Sequence, residues 1–231
     1  MTTAPAPVRE IVPLAVTLDT EGGACVAGVG ADRRWIRPEP VAAGQVTGGD
    51  PVYAMHRPVL LALGPAAGPA VRPEDRSVHG TPRSAGPGLG PAEQSALLAA
   101  VADPDVGTAF AGERSAGLVA VRPLRWYRRR STGGRTFLRL EFTDRSGERF
   151  DWIVRDVRLL GADGRAPRLP ALPAGPEAPE VYAAVGLTHP NGRFPGRFRG
   201  CHPLVVGLHP ADGSPLTTTS LEGTAGAPGI A

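Results

Sequence analysis

The clearest strand pattern of this chain lies in T-F-L-R-L-E-F-T-D-R-S-G-E-R-F-D-W-I-V, residues 136–154. Apolar side chains occupy alternate positions on both sides of a polar turn at 144–147: Leu138, Leu140, Phe142, Phe150, Trp152 and Val154. Alternation with a period of two is typical of a β-strand that buries one face. The stretch therefore predicts a hairpin, and its apolar face needs a second sheet or a barrel wall to cover it.

Short strand-like runs separated by glycine and proline fill most of the remaining chain. They lie at 11–18, 24–29, 34–37, 52–55, 58–63, 181–187 and 203–208. The 31 glycines and 26 prolines supply the turns between them. One helix is predicted, at Pro91–Ala102, because proline opens its first turn, Glu93 lies near its positive end, and strong helix formers fill the rest. The pattern predicts an all-β protein with one short helix.

A run of arginines with interleaved aromatic residues leads into the hairpin. Val121–Arg139 holds seven arginines, three aromatic residues and no acidic residue. Guanidinium groups fork onto phosphates and aromatic rings stack on bases, so the run is interpreted as a nucleic-acid surface. A solvated strand edge and a surface for an acidic protein are the alternatives. Three consecutive arginines, 128–130, cannot all be buried, because an unpaired buried charge is very costly.

The distribution of charge favours a charged partner. The net charge of +3 is modest, yet residues 114–168 hold fourteen arginines against six acidic residues. Positive charge concentrated in one part of a chain is typical of a binding surface. All 25 basic residues are arginine, however, so part of this content reflects the composition of the whole chain rather than a site.

Two further places combine arginine with aromatic residues. The loop T-H-P-N-G-R-F-P-G-R-F-R-G, residues 188–200, carries Arg193, Arg197 and Arg199 beside two phenylalanines. In W-I-R-P, residues 35–38, Trp35 and Arg37 occupy alternate positions of a strand and point to one face. They would contact a base and a phosphate, or else Trp35 belongs to the core and Arg37 pairs with Glu39 or Glu74.

The segment A-C-V-A-G-V-G-A-D-R-R-W-I-R-P, residues 24–38, resembles the opening motif of the bacterial dual OB-fold domain family. Residues 138–156 resemble the family's late hairpin, 181–188 with 202–208 its closing strands, and R-P-E-D at 72–75 a weaker central element. Leu18-Asp19-Thr20 replaces a polar triplet of the family, and His202 replaces a lysine. The resemblance implies two OB-type barrels, and a nucleic-acid-binding or sensing role in bacterial immunity and conflict systems. It implies no catalytic residues and no cofactor.

Other classes of function have little support in the sequence. The histidines and cysteine at 189, 201, 202 and 209 match no zinc spacing. Asp144, Glu148 and Asp151 cluster at a hairpin turn, where carboxylates usually form turns. No nucleophile elbow or phosphate-binding loop occurs. Two cysteines, no signal peptide and no apolar run long enough to span a membrane predict a cytoplasmic protein.

Together these observations predict two OB-like barrels, at 9–112 and 113–210, followed by a disordered tail at 211–231. We expect a non-enzymatic module that binds or senses nucleic acid, in single-stranded form, without a metal or cofactor. The alternative is a protein-interaction adaptor that docks an effector protein encoded nearby. The predicted nucleic-acid contacts are Trp35, Arg37, Arg125, Trp126, Tyr127, Arg128, Arg129, Arg130, Arg135, Arg193, Arg197 and Arg199.

Overall fold

The computed structural model describes residues 6–18, 23–160, 167–190 and 198–219. Its strands are β1 (Val8–Leu18), β2 (Gly23–Gly30), β3 (Trp35–Glu39), β4 (Val41–Ala42), β5 (Val59–Ala66), β6 (Asp75–Ser84), β7 (Ala116–Arg130), β8 (Thr136–Asp144), β9 (Arg149–Val154), β10 (Val181–Leu187) and β11 (Pro203–Pro210). The helices are α1 (Pro91–Val101) and α2 (Val106–Ala109), with single 3-10 turns at Ala43–Gln45 and Val157–Leu159. Among the described residues, no helix combines the length and the apolar character needed to cross a membrane.

The first six strands form a barrel. Its order is β1-β2-β3-β6-β5 and back to β1, with the two-residue β4 added beside β2. All pairs are antiparallel except β3 and β6, which run parallel with Arg37 opposite Asp75. This is the OB arrangement, in which the first strand pairs with the second and fourth, and the third pairs with the fifth.

The last five strands repeat the same arrangement. The order is β7-β8-β9-β11-β10 and back to β7, with β9 and β11 as the one parallel pair. The predicted hairpin is β8 and β9, and its alternate apolar side chains are buried inside this barrel. The predicted fold class, all-β with two OB-like barrels, is confirmed.

A proline interrupts the first strand of each barrel. The pairing register shifts between Pro13 and Ala15 in β1 and between Pro123 and Arg125 in β7. Proline has no N–H to donate to the ladder, so within sheets it is found at bulges and edges. A bulge bends the strand and increases its twist, which lets one long strand pair on two sides and close the barrel.

The two barrels share a third apolar cluster between them. Leu14 and Trp35 of the first barrel pack there with Ala116, Leu118 and Ala184 of the second. The backbones also approach closely, since a Cβ atom added at Gly207 of β11 would overlap the carbonyl oxygen of Leu14. The barrels therefore pack as one unit around this cluster.

The predicted helix is confirmed as α1. It follows β6, the fifth strand of the first barrel, and contributes the buried Leu98 to the cluster between the barrels. The Glu93 carboxylate accepts a hydrogen bond of 2.8 Å from the backbone N–H of Gly90, which caps the helix.

Residues 211–219, which follow β11, are held by contacts with the second barrel, whereas a mostly disordered tail was predicted from residue 211. Ala171 donates a backbone hydrogen bond of 2.9 Å to Thr217, Thr219 donates one of 3.0 Å to Leu169, and Leu216 packs against the core of the second barrel. These backbone hydrogen bonds pair 217–219 with 169–171. The composition of the segment gives no sign of this pairing. Residues 220–231 lie outside the described residues.

Candidate nucleic-acid interface

The outer surface of the first three strands of the second barrel carries aromatic and basic side chains. Leu138, Leu140 and Phe142 of β8 point into the barrel, so the alternate residues of the strand point outward. Tyr127 pairs with Arg139, and Arg129 with Phe137, across β7 and β8. We call this surface the β7–β9 face; it comprises Arg125, Tyr127, Arg129, Phe137, Arg139, Glu141, Arg149, Asp151 and Ile153.

Hydrogen bonds hold the Tyr127 ring in place at the centre of this face. Its hydroxyl donates to Asp151 Oδ2 at 2.6 Å, and the Nε–H of Arg139 donates to Asp151 Oδ1 at 2.9 Å. Partial burial raises the pKa of Asp151, but the hydrogen bonds from Arg139 and Tyr127 outweigh it and hold that pKa below its usual range. The carboxylate is therefore ionised at neutral pH and fixes both partners.

The acidic residues of the face are matched by arginines. The guanidinium carbon of Arg125 lies 4.6 Å from the centre of the Tyr127 ring, a cation–π distance. Arg125 Nε is 3.5 Å from one oxygen of Glu141, and an Arg149 nitrogen is 2.5 Å from the other. With four arginines against two carboxylates, the face keeps an excess of positive charge.

The tip of the hairpin between β7 and β8 adds unpaired arginines. Arg129, Arg130 and Arg135 are exposed, and within the described part of the chain no carboxylate lies at ion-pair distance from any of them. The turn is closed by a backbone hydrogen bond of 2.7 Å from Ser131 to Arg135, with Gly134 at a φ of 79°. This tip is the loop between the first and second strands of an OB barrel, one of the loops with which such folds grip nucleic acid.

The structure places Trp126 away from the face, against our prediction. The register shift at Pro123 turns it inward, where it packs against the barrel core with its Nε1–H buried and without a partner. Arg128 points to the same side and donates a hydrogen bond of 2.8 Å to the Pro167 carbonyl, although it remains exposed. Tyr127, rather than Trp126, is therefore the ring that a base can reach.

Trp35 and Arg37 are also absent from the β7–β9 face. Their exposed fractions are 7% and 3%, and both lie against the second barrel. Arg37 forms a structural ion pair, as the alternative prediction held. Its partner is Asp75, at 2.8 Å, rather than Glu39 or Glu74. The parallel pairing of β3 with β6 sets these two residues opposite each other.

The described ends of the 188–200 loop, residues 188–190 and 198–200, lie apart from the β7–β9 face. Gly186 of β10 pairs with Ala116 at the beginning of β7, whereas the hairpin tip follows the end of β7, so the described loop ends and the hairpin tip lie at opposite ends of the barrel. Phe198 packs edge-to-face on Trp152, with ring centres 5.8 Å apart, and Arg199 donates to the carbonyl of Arg114. Arg193 and Arg197 lie outside the described residues.

The carboxylates and histidines take structural roles where the structure describes them. Asp144 accepts a hydrogen bond of 3.0 Å from the N–H of Val106, and Asp151 is paired with Arg139. No group of three histidine, cysteine or acidic side chains within the described ranges has the geometry of a metal site. His56 and His209 face each other at 2.8 Å across the two barrels.

Comparison with known proteins adds no assignment. No family model matches the chain, and no curated protein has significant similarity to it. The resemblance to the dual OB-fold family stays a prediction.

Proposed function

We propose that this chain is a non-enzymatic module that binds single-stranded nucleic acid on the β7–β9 face. The observation that carries the proposal is the combination of Tyr127, Phe137 and Arg129 on one face with the exposed Arg130 and Arg135 at the adjoining hairpin tip. The second and third strands of an OB barrel, with the loop after its first strand, are the surface on which OB folds hold oligonucleotides.

The chemistry of this surface suits unpaired bases. Base–aromatic stacking contributes about 1–3 kcal/mol per base and requires bases that are not already stacked in a duplex. The Arg125 guanidinium over Tyr127 extends the platform with a flat cation, on which bases also stack. The three arginines of the tip would follow the phosphates of the strand.

A titration at two salt concentrations tests the proposal. Labelled single-stranded DNA and RNA are titrated by fluorescence anisotropy at about 50 mM and about 200 mM salt. The triple variant R129A/R130A/R135A should reduce the slope of log affinity against log salt by about 2, since each lost phosphate contact removes about 0.7 on single strands. The matched control is R9A/R34A/R83A, which removes three exposed arginines from the first barrel.

Two results would overturn the proposal. One is the absence of binding to any single strand at the lower salt concentration. The other is an equal loss of slope in the control variant, which would mean that general charge rather than this face binds the strand.

The second candidate is a protein-interaction adaptor, favoured by the presence of Glu141 and Asp151 on the same face as the arginines. Mixed charge of this kind also suits a protein surface. A pull-down whose partner survives nuclease treatment and is lost in R129A/R130A/R135A would support it. In either case the family resemblance suggests a sensing role in bacterial defence, with an effector as the partner, and the free Cys25 and Cys201 fit a reducing cytoplasm.

A further inference from the structure

We propose that the cavity between the two barrels binds a purine base through a guanine-type edge, at a site separate from the β7–β9 face. The cavity has a volume of about 450 Å³. That volume is in the range of small-molecule sites and accommodates one nucleoside or nucleotide. Small-molecule sites commonly lie at the interface between two packed domains.

The walls of the cavity are apolar on most sides. Leu18, Ala24 and Trp35 of the first barrel face Leu204 and Val206 of the second. A ligand that replaces water there needs an apolar body, because a highly charged one would lose its hydration without compensation.

The remaining side of the cavity is a buried ionic cluster. Arg37 and Arg72 line it with Glu39, and Asp75 lies behind them. The NH2 group of Arg72 donates to Glu39 Oε1 at 2.8 Å, and its NH1 group donates to His189 of the second barrel. Burial and the neighbouring Arg72 hold the pKa of His189 below its usual value, so the ring is the neutral acceptor in this contact.

Two buried polar atoms of the cluster form an ion pair with each other but no hydrogen bond. Arg72 Nε lies 3.1 Å from Asp75 Oδ2, but the geometry is not that of a hydrogen bond, and both buried atoms lack one. Glu39 uses one oxygen for Arg72, and its side chain is 31% exposed. Buried polar groups without a hydrogen bond are rare in native proteins. Asp75 does not line the cavity, so Arg72 and the second oxygen of Glu39 are the groups of the cluster that a ligand can reach.

The balance of charge identifies the class of ligand. Arg37 and Arg72 are already compensated by Asp75 and Glu39, so a phosphate or carboxylate would compete with those residues for the same arginines. Arg155, the third arginine of the lining, donates a hydrogen bond to the carbonyl oxygen of Leu18. A neutral heterocycle with adjacent donors and acceptors does not compete with Asp75 and Glu39 for the arginines. Guanine presents O6 and N7 to an arginine and N1–H and N2–H to a carboxylate, whereas the N1 acceptor of adenine would face Glu39 unfavourably.

The proposal also accounts for the placement of the sequence motifs. Cys25 of C-V-A-G, Trp35 and Arg37 of W-I-R-P, and Arg72 of R-P-E-D all line this one cavity. Burial raises the pKa of the Cys25 thiol, so the residue is a neutral wall group rather than a nucleophile. Motifs far apart in the chain are thus brought together around a single space.

Isothermal titration calorimetry with guanosine, GMP and adenosine tests the site. Guanosine should bind, adenosine should bind at least about tenfold more weakly, and E39Q should lose about tenfold in guanosine affinity because the amide cannot accept from both N–H groups. V206F should fill the cavity and abolish binding, while the matched control V8F, at an exposed valine, should bind as the unmodified chain does. Thermal unfolding of each variant checks that the fold is retained.

Further titrations distinguish a free nucleotide from a base that belongs to a nucleic-acid strand. They also separate this proposal from strand binding on the β7–β9 face. A thymidine oligonucleotide with a single dG is titrated against V206F and against R129A/R130A/R135A. If V206F removes guanosine binding and leaves the oligonucleotide affinity unchanged, the ligand is a free nucleotide; if it also removes the preference for dG, the base comes from a strand. The triple arginine variant should retain guanosine binding. No guanosine or GMP binding at millimolar concentration, equal binding of adenosine, or binding unaffected by V206F would overturn the proposal.

Discussion

Acidification should destabilise this protein through the histidine pair between the barrels. The exposed fractions of His56 and His209 are 7% and 0%, and His56 Nε2 lies 2.8 Å from His209 Nδ1. His209 Nε2 lies 2.8 Å from the carbonyl oxygen of Leu14, which can only accept. His209 therefore donates to Leu14 through Nε2 and accepts from the Nε2–H of His56, and both rings are neutral.

Burial, and next the positive charge of Arg158, lower the pKa of His56 from 6.5 to about 4, although Asp156 opposes the shift. Between those two values the unfolded chain binds the proton more readily than the folded one, so stability falls as the pH falls. Linkage gives a loss of about 2.5 kcal/mol between about pH 7.5 and about pH 4.5 from His56 alone. Burial, Arg158 and His56 also lower the pKa of His209, which acts in the same direction.

Urea unfolding followed by tryptophan fluorescence at the two pH values measures this loss. Carboxylates also respond to acid, so the informative quantity is the difference between variants. H56N should reduce the pH-dependent loss by about 2.5 kcal/mol, and asparagine tolerates the φ of 60° found at this position. H79Q, at an exposed histidine, should behave as the unmodified chain does. If H56N and H79Q lost equal stability on acidification, the neutral pair would be refuted.

Two further substitutions separate packing from binding. Y127A should weaken single-strand binding by about 1–3 kcal/mol, since one stacking platform is lost, whereas W126F should change it less than about twofold; anisotropy titration of both variants checks this. D75N should lower the free energy of unfolding by about 3–5 kcal/mol, because Arg37 and Arg72 would lose a buried partner, and urea unfolding at neutral pH measures it.

The fold was more predictable than the site, for a physical reason that one strand makes clear. The alternation of Leu138, Leu140 and Phe142 requires only a period of two, and local composition supplies it. Whether Trp126 or Tyr127 faces outward depends on the parity of the register, which the bulge between Pro123 and Arg125 changes. A bulge adds one residue without a distinct sequence signal, so Trp126 and Tyr127 were both predicted as contacts and only Tyr127 faces outward.

The ion-pair partner of Arg37 was also not predictable from the sequence, because it depends on strand register between distant parts of the chain. Glu39 and Glu74 were expected, but the parallel pairing of β3 with β6 sets Asp75 opposite Arg37, across 38 residues of sequence. Charge composition alone predicts that a buried arginine has an acidic partner, and only the strand register decides which one.

The two barrels share one topology and use their arginines in opposite ways. In the first barrel Arg37 and Arg72 are buried, and the second barrel completes their surroundings with Ser115 and His189. In the second barrel Arg129, Arg130 and Arg135 project from the hairpin tip, where no carboxylate of the described residues neutralises them. Buried charge requires the neighbouring barrel to be in place, whereas exposed charge remains available to a partner. The first barrel is thus suited to enclose a small ligand with its neighbour, and the second is suited to hold a strand.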